Sequence, residues 1–281
     1  MREMPPLKLG LIGDNIAASS APRLHQLAGR LAGRRVTYDL LVPATFGMDF
    51  DSLFDHARAE GYRGLNITYP YKETVVARVK VPEVEVRALG AVNTVLFGDG
   101  EPEGHNTDHS GFMTACTRGL SGAAPGTVCL VGAGGVGKAV AFGLLSLGTR
   151  DFRIVERDMS RAEALATSLR AAEPGVGITL PESAEAAADG AEGLVNCTPV
   201  GMVGHDGSPL AAPAMQGARW AFDAIYTPVE TRFLQDARQA GLQVISGYEL
   251  FIHQGLHAWK LFSGEATDEA RIRSGLGDPP D

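Results

Sequence analysis

The stretch TVCLVGAGGVGKAVAFGLLSLG, residues 127–148, decides the fold of this chain. It predicts a buried strand, then a glycine-rich turn, then a helix. The glycines have the spacing G-x-G-x-x-G. In this pattern the first permits a tight turn, the second lets a pyrophosphate approach the backbone, and the third allows close packing of helix and strand. The stretch therefore predicts a Rossmann-type turn that binds a dinucleotide through Gly132, Ala133, Gly134, Gly135, Val136 and Gly137.

An acidic residue about 20 positions beyond such a turn usually binds the ribose hydroxyls of the dinucleotide. Glu156 lies 19 positions after Gly137, and Asp158 follows two positions later. Their carboxylates would repel the 2′-phosphate of NADP, whereas the guanidinium groups of Arg157 and Arg161 could accommodate it. We therefore expect these four residues to contact the cofactor, and we expect a moderate preference for NAD over NADP.

Strands and helices alternate on both sides of the turn, as in α/β proteins. The stretch AVNTVLFGDGEPEGHNTD, residues 91–108, predicts a hairpin, and SGAAPG at 121–126 has the composition of a domain boundary. The long amphipathic helix after Gly247 is expected to pack on the first domain. The chain is thus predicted to form two α/β domains. They are a substrate-binding catalytic domain with a mainly parallel sheet, residues 1–109 plus 250–281, and a Rossmann-type dinucleotide-binding domain, residues 110–249.

The composition is that of a globular protein, since 44% of the 281 residues are hydrophobic, and the net charge is −8. An acidic chain lacks the basic surface that general binding to nucleic acid or to an anionic membrane requires. No apolar segment has the length of a membrane span, and the first residues contain no secretory signal, so we expect a cytoplasmic protein. We also expect a monomer or a homodimer that binds neither nucleic acid nor membrane.

Metal and hydrolase chemistry find little support in the sequence. The three cysteines form no C-x-x-C pair, which argues against a disulfide framework and a thiolate zinc site. His253 and His257 have the spacing of two zinc ligands on a helix, but Gln254 stands where a metalloprotease has its glutamate. The serines of ASSAP, residues 18–22, do not lie in a G-x-S-x-G elbow. We therefore expect no metal and no hydrolase triad.

Six stretches outside the glycine turn carry polar residues beside glycine or proline. They are GLNITYPYK (64–72), GAVNT (90–94), GHNTDHSGF (104–112), NCTPVGM (196–202), DAIYTPVET (223–231) and SGYELFIHQ (246–254). In this order they resemble the shikimate dehydrogenase family, and most closely its quinate/shikimate dehydrogenase branch, over nearly the whole chain. The resemblance implies an NAD(P)-dependent oxidoreductase of aromatic amino acid biosynthesis. Its substrate would be a hydroxylated cyclohexane or cyclohexene carboxylate, with shikimate converted to 3-dehydroshikimate or quinate to 3-dehydroquinate.

The catalytic pair follows from the same resemblance. In the family, the lysine of the N-[IV]-T-x-P-x-K motif and the aspartate of the N-T-D motif form this pair, which implies Lys72 and Asp108 here. The pair suits the chemistry, because oxidation of an alcohol by hydride transfer needs a group that removes the hydroxyl proton, and the reverse reaction needs one that returns it. A carboxylate beside the lysine would orient the ammonium group and keep it charged.

The resemblance also implies contacts with the substrate and the cofactor. The substrate contacts are Ser19, Asn66, Thr68, Asn93, Tyr226 and Gln254, and the further cofactor contacts are Thr198, Pro199 and Gly247. One departure concerns the loop that binds the substrate carboxylate. The family has two hydroxyl residues separated by one position before a proline, whereas here Ser19 and Ser20 are adjacent and Ala21 occupies the second position.

Other functions fit the same pattern. A non-catalytic sensor of shikimate-like acids could keep the fold, although the presence of Lys72 and Asp108 argues against it. A dehydrogenase for a related acid, such as an aminated shikimate, is a second alternative. A folate-type methylene dehydrogenase is disfavoured, because the predicted contacts are rich in hydroxyl and amide groups and do not suit a large aromatic substrate.

Overall fold

The computed structural model describes residues 6–277, and their contacts divide them into two units. The first unit contains the residues up to Thr107 and those from Gln254 onward, and the second contains Asp108–His253. The predicted domain boundaries, at 109/110 and 249/250, remain a prediction. The ends of the predicted substrate domain, 1–5 and 278–281, lie outside the described residues.

The secondary structure of the described residues alternates as the sequence predicts. The strands are β1 (Leu7–Ile12), β2 (Val36–Leu41), β3 (Gly64–Ile67), β4 (Thr94–Leu96), β5 (Glu103–His105), β6 (Val128–Val131), β7 (Asp151–Val155), β8 (Gly177–Thr179), β9 (Gly193–Asn196), β10 (Trp220–Asp223) and β11 (Gln243–Ile245). The α-helices are α1 (Ala21–Leu31), α2 (Pro43–Phe46), α3 (Phe50–Ala59), α4 (Val84–Leu89), α5 (Thr107–Gly119), α6 (Gly135–Ser146), α7 (Met159–Ala172), α8 (Ala184–Ala188), α9 (Arg232–Gln239), α10 (Gly247–Ser263) and α11 (Glu269–Leu276).

The first unit is built on a sheet with the strand order β2-β1-β3-β4-β5. The strands β2, β1 and β3 are parallel, because helices carry the chain back between them. The strands β4 and β5 are antiparallel and form the predicted hairpin, and β4 also pairs antiparallel with β3. The carboxyl end of β3 therefore lies beside the amino end of β4, where Asn66 pairs with Thr94.

Helices cover both faces of this sheet. Leu65 and Ile67 of β3 belong to a buried cluster that includes Phe50 and Phe54 of α3. Side chains alternate along a strand, so the residues of β3 at 64 and 66 point to the opposite face. On that face Phe262 of α10 packs against the backbone of Gly64. The C-terminal half of α10 thus forms part of the first unit.

The second unit contains a parallel sheet with the strand order β11-β10-β9-β6-β7-β8. Numbered from β6, this is the order 3-2-1-4-5-6 of a doubly wound Rossmann sheet, in which the order of the strands reverses between β6 and β9. The predicted α/β class with a Rossmann-type domain is confirmed. The short edge strand β8 was not predicted, because Gly177–Thr179 offers no apolar run.

A helix that crosses a bilayer must be both long and apolar. Within residues 6–277, no helix combines the length and the apolar character that crossing a bilayer demands.

Gly64 provides a test of the packing in the first unit. A Cβ atom at this position would lie 2.4 Å from the carbonyl oxygen of Val95 and 2.6 Å from the ring of Phe262. Because the oxygen belongs to the sheet backbone, it cannot move aside cheaply. We expect Gly64→Ala to lower the free energy of unfolding by about 1–3 kcal/mol, measured by urea denaturation.

Gly98 is the matched control, since a Cβ atom there would meet no other atom within 4 Å. Gly98→Ala should change the free energy of unfolding by less than about 0.5 kcal/mol. Equal urea midpoints for the two variants would show that the sheet accommodates the added methyl group at Gly64.

Candidate active site

A buried hydrogen-bond network lies at the edge where β3 meets β4. The Asn66 amide nitrogen donates to the carbonyl oxygen of Asn93 at 3.3 Å and to Thr94 Oγ1 at 3.1 Å. The Tyr38 hydroxyl donates to Asn66 Oδ1 at 2.8 Å. The Thr107 hydroxyl lies 3.2 Å from Thr94 Oγ1. Each of these five residues is buried, so the network satisfies polar groups that would otherwise be costly to enclose.

The network fixes the orientation of the Asn93 side chain. Asn93 Oδ1 accepts from the Thr107 backbone N–H at 2.7 Å and lies 3.1 Å from the Thr107 hydroxyl and 3.0 Å from the Thr94 hydroxyl. Donors therefore surround the oxygen side of the carboxamide. The NH₂ group of Asn93 points the other way, and the side chain can act only as a hydrogen-bond donor to a ligand.

The loop after β3 carries Thr68 and Lys72. The Thr68 N–H donates to the carbonyl oxygen of Ile12 at 2.9 Å, and the carbonyl oxygen of Lys72 accepts from the Val92 N–H at 2.8 Å. Between them, Tyr71 donates to Asp14 Oδ1 at 2.7 Å, and this hydrogen bond raises the pKa of Tyr71 to about 12. Hydrogen bonds at Thr68, Tyr71 and Lys72 thus hold the backbone that carries the half-buried Lys72 side chain.

The serine loop lies at the start of α1. Ser19 Oγ accepts from the Ala21 N–H at 3.3 Å, which leaves the hydroxyl proton of Ser19 available for a ligand. Ser20 occupies the N-cap position of α1, but its side chain makes no capping hydrogen bond. Ala21 begins the helix. In the same unit, α10 carries the half-buried Gln254.

In the glycine turn of the second unit, the three glycines have the predicted features: a tight turn at Gly132, an open backbone at Gly134 and close packing at Gly137. Gly132 has a φ of +100°, and a Cβ atom there would lie 2.8 Å from the Cys197 backbone. A Cβ atom on Gly137 would lie 2.2 Å from the Gly132 carbonyl oxygen, whereas one on Gly134 would meet no atom within 4 Å. The turn is open at Gly134, directly before α6, so the residues fit a pyrophosphate at the helix N-terminus.

The acidic residues after β7 differ in their contacts. Glu156 Oε2 accepts from the Ala133 N–H at 2.8 Å, so this carboxylate lies beside the glycine turn. Asp158 is the N-cap of α7, where Oδ1 accepts from the Ser160 N–H at 3.0 Å, and hydrogen bonding by Ser160 lowers the pKa of Asp158. Of the two carboxylates, Glu156 therefore has the better position to contact a ribose.

The two predicted arginines also differ. Arg161 forms an ion pair with Asp158 at 3.5 Å between Nε and Oδ2. Arg157 is exposed and forms no ion pair or hydrogen bond with any other part of the chain from residue 6 to residue 277. Of these two arginines, Arg161 alone has a carboxylate partner among residues 6–277.

A second buried network follows β9 and was not predicted. Asn196 Nδ2 donates to Asp223 Oδ1 at 3.0 Å and to the Val200 carbonyl oxygen at 3.1 Å. Asn196 Oδ1 accepts from the Thr198 N–H at 2.9 Å and from its hydroxyl at 2.7 Å. Asp223 Oδ2 accepts from the Thr231 hydroxyl at 2.6 Å. The network fixes the loop that contains the predicted cofactor contacts Thr198 and Pro199.

Thr198 lies beside the glycine turn, since a Cβ atom on Gly132 would be 3.0 Å from Thr198 Cγ2. The sequence does contain a signal for the network, because Asn196 and Asp223 each end an apolar strand. A polar residue at that point of a doubly wound sheet lies at the edge where ligands bind.

The other predicted residues of the second unit lie near α5 and α10. Tyr226 stacks on Phe251 with ring centroids 5.1 Å apart, and burial raises the pKa of Tyr226. Gly247 begins α10, where a Cβ atom would lie 2.4 Å from the Ile225 carbonyl oxygen. Asp108 is buried in the first turn of α5. Ser19, Asn66, Thr68, Lys72, Asn93 and Gln254 belong to the first unit, and the other predicted site residues belong to the second.

In residues 6–277, no group of three or more His, Cys, Asp or Glu side chains is arranged to hold a metal ion. His253 is buried beside Glu249, with 3.8 Å between Nε2 and Oε2.

Comparisons with known proteins extend over nearly the whole chain. A sequence model described as the shikimate dehydrogenase substrate binding domain matches residues 11–95. The quinate/shikimate dehydrogenase (NAD(+)) of Corynebacterium efficiens is 40% identical, over 95% of this chain and 96% of that protein. The shikimate dehydrogenase (NADP(+)) of Pseudarthrobacter chlorophenolicus is 39% identical, over 95% of this chain and 92% of that protein. The structure of quinate dehydrogenase from Corynebacterium glutamicum in complex with NAD matches with a TM-score of 0.91 and 36% identity, over 96% of this chain and 98% of that one.

The fold and the polar networks define a two-domain α/β protein with a Rossmann-type unit and a second unit of a different, mixed sheet. Identity with the curated relatives extends across both units. The chain belongs to the shikimate dehydrogenase family, which confirms the predicted resemblance.

Asp223 makes the stability of the protein depend on pH. Burial raises the pKa of Asp223 from 3.8 to about 6, although hydrogen bonds from Thr231, Ile225 and Asn196 oppose the shift. The folded protein therefore binds this proton more tightly than the unfolded chain. The stabilisation is complete below pH 4 and is lost as the pH rises through 6, and it amounts to about 3 kcal/mol.

We expect Asp223→Asn to lack this contribution, because the amide keeps the shape of the side chain but does not ionise. Relative to wild type, the free energy of unfolding of the variant should improve by about 3 kcal/mol between pH 4 and pH 7.5, as measured by urea denaturation at each pH. A difference between the two proteins that stays constant with pH would contradict the raised pKa.

Proposed function

We propose that this protein is an NAD(P)-dependent dehydrogenase that interconverts a ring secondary alcohol and the corresponding ketone of a shikimate-type or quinate-type acid. The reaction is shikimate to 3-dehydroshikimate, or quinate to 3-dehydroquinate. The observation that carries the proposal is the similarity to named quinate/shikimate and shikimate dehydrogenases over nearly the whole chain. The presence of Lys72 and Asp108 in the matching motifs supports a catalytic role over a sensor role.

In this mechanism Lys72 moves the proton of the reacting hydroxyl group. During oxidation, a neutral Lys72 amine accepts the hydroxyl proton while the carbon loses its hydride; during reduction, the ammonium form returns the proton to the carbonyl oxygen. The nicotinamide ring, when bound, accepts or supplies the hydride. Asp108 has the role of orienting Lys72 and favouring its charged form. The hydrogen bond from the Val92 N–H to the Lys72 carbonyl oxygen supports the role of Lys72 as general acid, because a general acid must be held in place.

Polar groups of the first unit recognise the substrate in this proposal. Asn93 donates through its NH₂ group, since its oxygen is already occupied by donors from Thr107 and Thr94. Ser19 donates its hydroxyl proton to the substrate carboxylate. Thr68 and Gln254 bind further hydroxyl groups, and Tyr226 of the second unit contributes another contact. The geometry of Asn93 and Ser19 supports donor roles for both.

Ala21 favours one alternative substrate. The position lacks the second hydroxyl group of the family's carboxylate loop, and a related acid with a substituent beside Ala21, such as an aminated shikimate, would suit the space. A panel of shikimate, quinate and aminated analogues, each with NAD and with NADP, tests the proposal through the absorbance of the reduced nicotinamide. A protein that binds these acids without turnover would be a sensor, and turnover of none of them would refute the dehydrogenase.

The cofactor is a nicotinamide dinucleotide, and we propose that NAD is preferred. The relatives include both NAD and NADP enzymes, so the choice depends on local charge. Glu156 supports NAD, because its carboxylate lies beside the glycine turn, 2.8 Å from the Ala133 nitrogen. An acidic residue there binds the ribose hydroxyls and repels a 2′-phosphate.

Replacement of Lys72 tests the proton transfer. Lys72→Ala should lower kcat by about 100-fold to 10,000-fold, because removal of a general acid or base usually has an effect of this size. The dissociation constant of the dinucleotide, measured by fluorescence titration, should stay nearly unchanged, since the glycine turn is intact. Lys80→Ala, at an exposed lysine of the same unit, is the control and should keep wild-type kcat. Wild-type turnover by Lys72→Ala would remove Lys72 from the mechanism.

Replacement of Glu156 tests the cofactor preference. Glu156→Gln keeps an oxygen for the Ala133 N–H but removes the negative charge. The ratio of kcat/KM for NADP to that for NAD should rise about tenfold, since charges a few ångströms apart at a protein surface repel by at least about 1 kcal/mol. Glu163→Gln, on the exposed side of α7, should leave the ratio unchanged. A wild-type protein with the higher kcat/KM for NADP would refute the preference.

A further inference from the structure

The hydrogen bonds of Asn66 leave it no donor for a substrate. A primary amide has two N–H groups, and those of Asn66 serve the Asn93 carbonyl oxygen and Thr94 Oγ1. The oxygen of the same carboxamide accepts from the Tyr38 hydroxyl. The side chain thus has partners on both of its ends within the first unit, and both of its N–H groups are used to hold Asn93 and Thr94.

Tyr38 holds the oxygen end of the Asn66 carboxamide. Burial raises the pKa of Tyr38, so the hydroxyl keeps its proton, and it donates that proton to Asn66 Oδ1 at 2.8 Å. The Asn93 carbonyl oxygen can only accept, so the NH₂ group of Asn66 faces it and Thr94, and the Asn66 oxygen faces the Tyr38 hydroxyl. Without the Tyr38 hydroxyl, Asn66 Oδ1 would lose this donor, and the carboxamide would be held less firmly against Thr94.

The ring of Tyr38 is itself held in place. It stacks on His25 with centroids 5.1 Å apart and an interplanar angle of 8°, and His25 contacts the edge of Phe262 at 5.5 Å. Burial lowers the pKa of His25 to about 3, more than an interaction with Asn66 raises it. His25 is therefore neutral near pH 7, and the stack presents the Tyr38 hydroxyl without a charged neighbour.

We propose that Tyr38 and Asn66 are positioning residues for the reaction: the Tyr38 hydroxyl orients Asn66, which holds Thr94 and thereby directs the NH₂ group of Asn93 to the substrate. This inference rests on the proposed function. It assigns Asn66 a role other than the direct substrate contact that the family resemblance implies. Thr107 extends this series of hydrogen bonds, since its N–H donates to Asn93 Oδ1. Asp108 follows Thr107 directly in the sequence.

The kinetic test is Tyr38→Phe, which removes the hydroxyl and keeps the stacked ring. KM for the substrate acid should rise about threefold to tenfold, the effect of losing one buried hydrogen bond, while KM for the dinucleotide stays unchanged. In an Asn93→Ala background, the same change should raise KM less than twofold, because residues of one network are not additive. An unchanged KM in Tyr38→Phe, or the full increase in the Asn93→Ala background, would overturn the proposal.

Tyr62→Phe is the matched control. Tyr62 is also a buried tyrosine of the first unit, and its hydroxyl donates to Asp39 Oδ2 at 2.6 Å, outside the Asn66 network. This variant loses a comparable hydrogen bond, so its KM for the acid should match wild type. A rise equal to that of Tyr38→Phe would indicate a general loss of rigidity and would overturn the positioning role.

A second measurement does not depend on turnover. The Thr107 backbone N–H donates to Asn93 Oδ1, so its hydrogen exchange, followed by NMR, reports whether that oxygen is held. Exchange should be about threefold to tenfold faster in Tyr38→Phe and unchanged in Tyr62→Phe. If the wild-type protein oxidised neither shikimate nor quinate, this result would refute the proposed function but would not decide the positioning proposal. Faster hydrogen exchange at Thr107 in Tyr38→Phe would still support the positioning role of Tyr38 and Asn66, and unchanged exchange would overturn it.

Discussion

In each unit, a buried asparagine binds the loops that carry the predicted functional residues, because enclosed polar groups need partners. In the first unit, Asn93 Oδ1 accepts from Thr107, the residue before Asp108. In the second, Asn196 holds both Thr198 and Asp223. An unpaired polar group in such a place would cost about 1–3 kcal/mol. The same requirement that stabilises the fold therefore determines which amide and hydroxyl groups stay available to a ligand.

The two networks differ in charge, and this difference has consequences for pH. Amides, hydroxyls and a neutral histidine make up the network around Asn66, so protonation near pH 7 does not change it. The network of the second unit contains Asp223, a carboxylate whose pKa burial raises to about 6. A group with such a pKa gains or loses its proton within the range where many proteins work. The network that holds Thr198 thus contains a carboxylate with a raised pKa, whereas the network around Asn66 contains no carboxylate.

At the glycine turn, steric contacts set the shape of the backbone, and a nearby carboxylate sets the local charge. Gly132 and Gly137 are required by close contacts within the protein, and Gly134 faces open space. Glu156 adds a negative charge beside the turn and at the same time occupies the Ala133 N–H. The shape of the turn therefore suits any dinucleotide pyrophosphate, and the proposed preference for NAD depends on the Glu156 carboxylate, which would repel a ribose phosphate.

The sequence alone determined the α/β class, the Rossmann-type order of elements and the glycine turn, because these depend on local patterns: the alternation of apolar segments and the spacing of three glycines. Its motifs also predict Lys72 and Asp108 as the catalytic pair. It did not reveal β8, whose three residues carry no apolar run, nor that Asp158 caps α7 while Glu156 contacts the turn. Only the tertiary structure decided which hydrogen-bonding groups of Asn66, Asn93 and Asn196 are already occupied. The physical reason is that a side-chain amide has the same donors and acceptors everywhere in a sequence, and its partners come from strands and loops far apart in the chain.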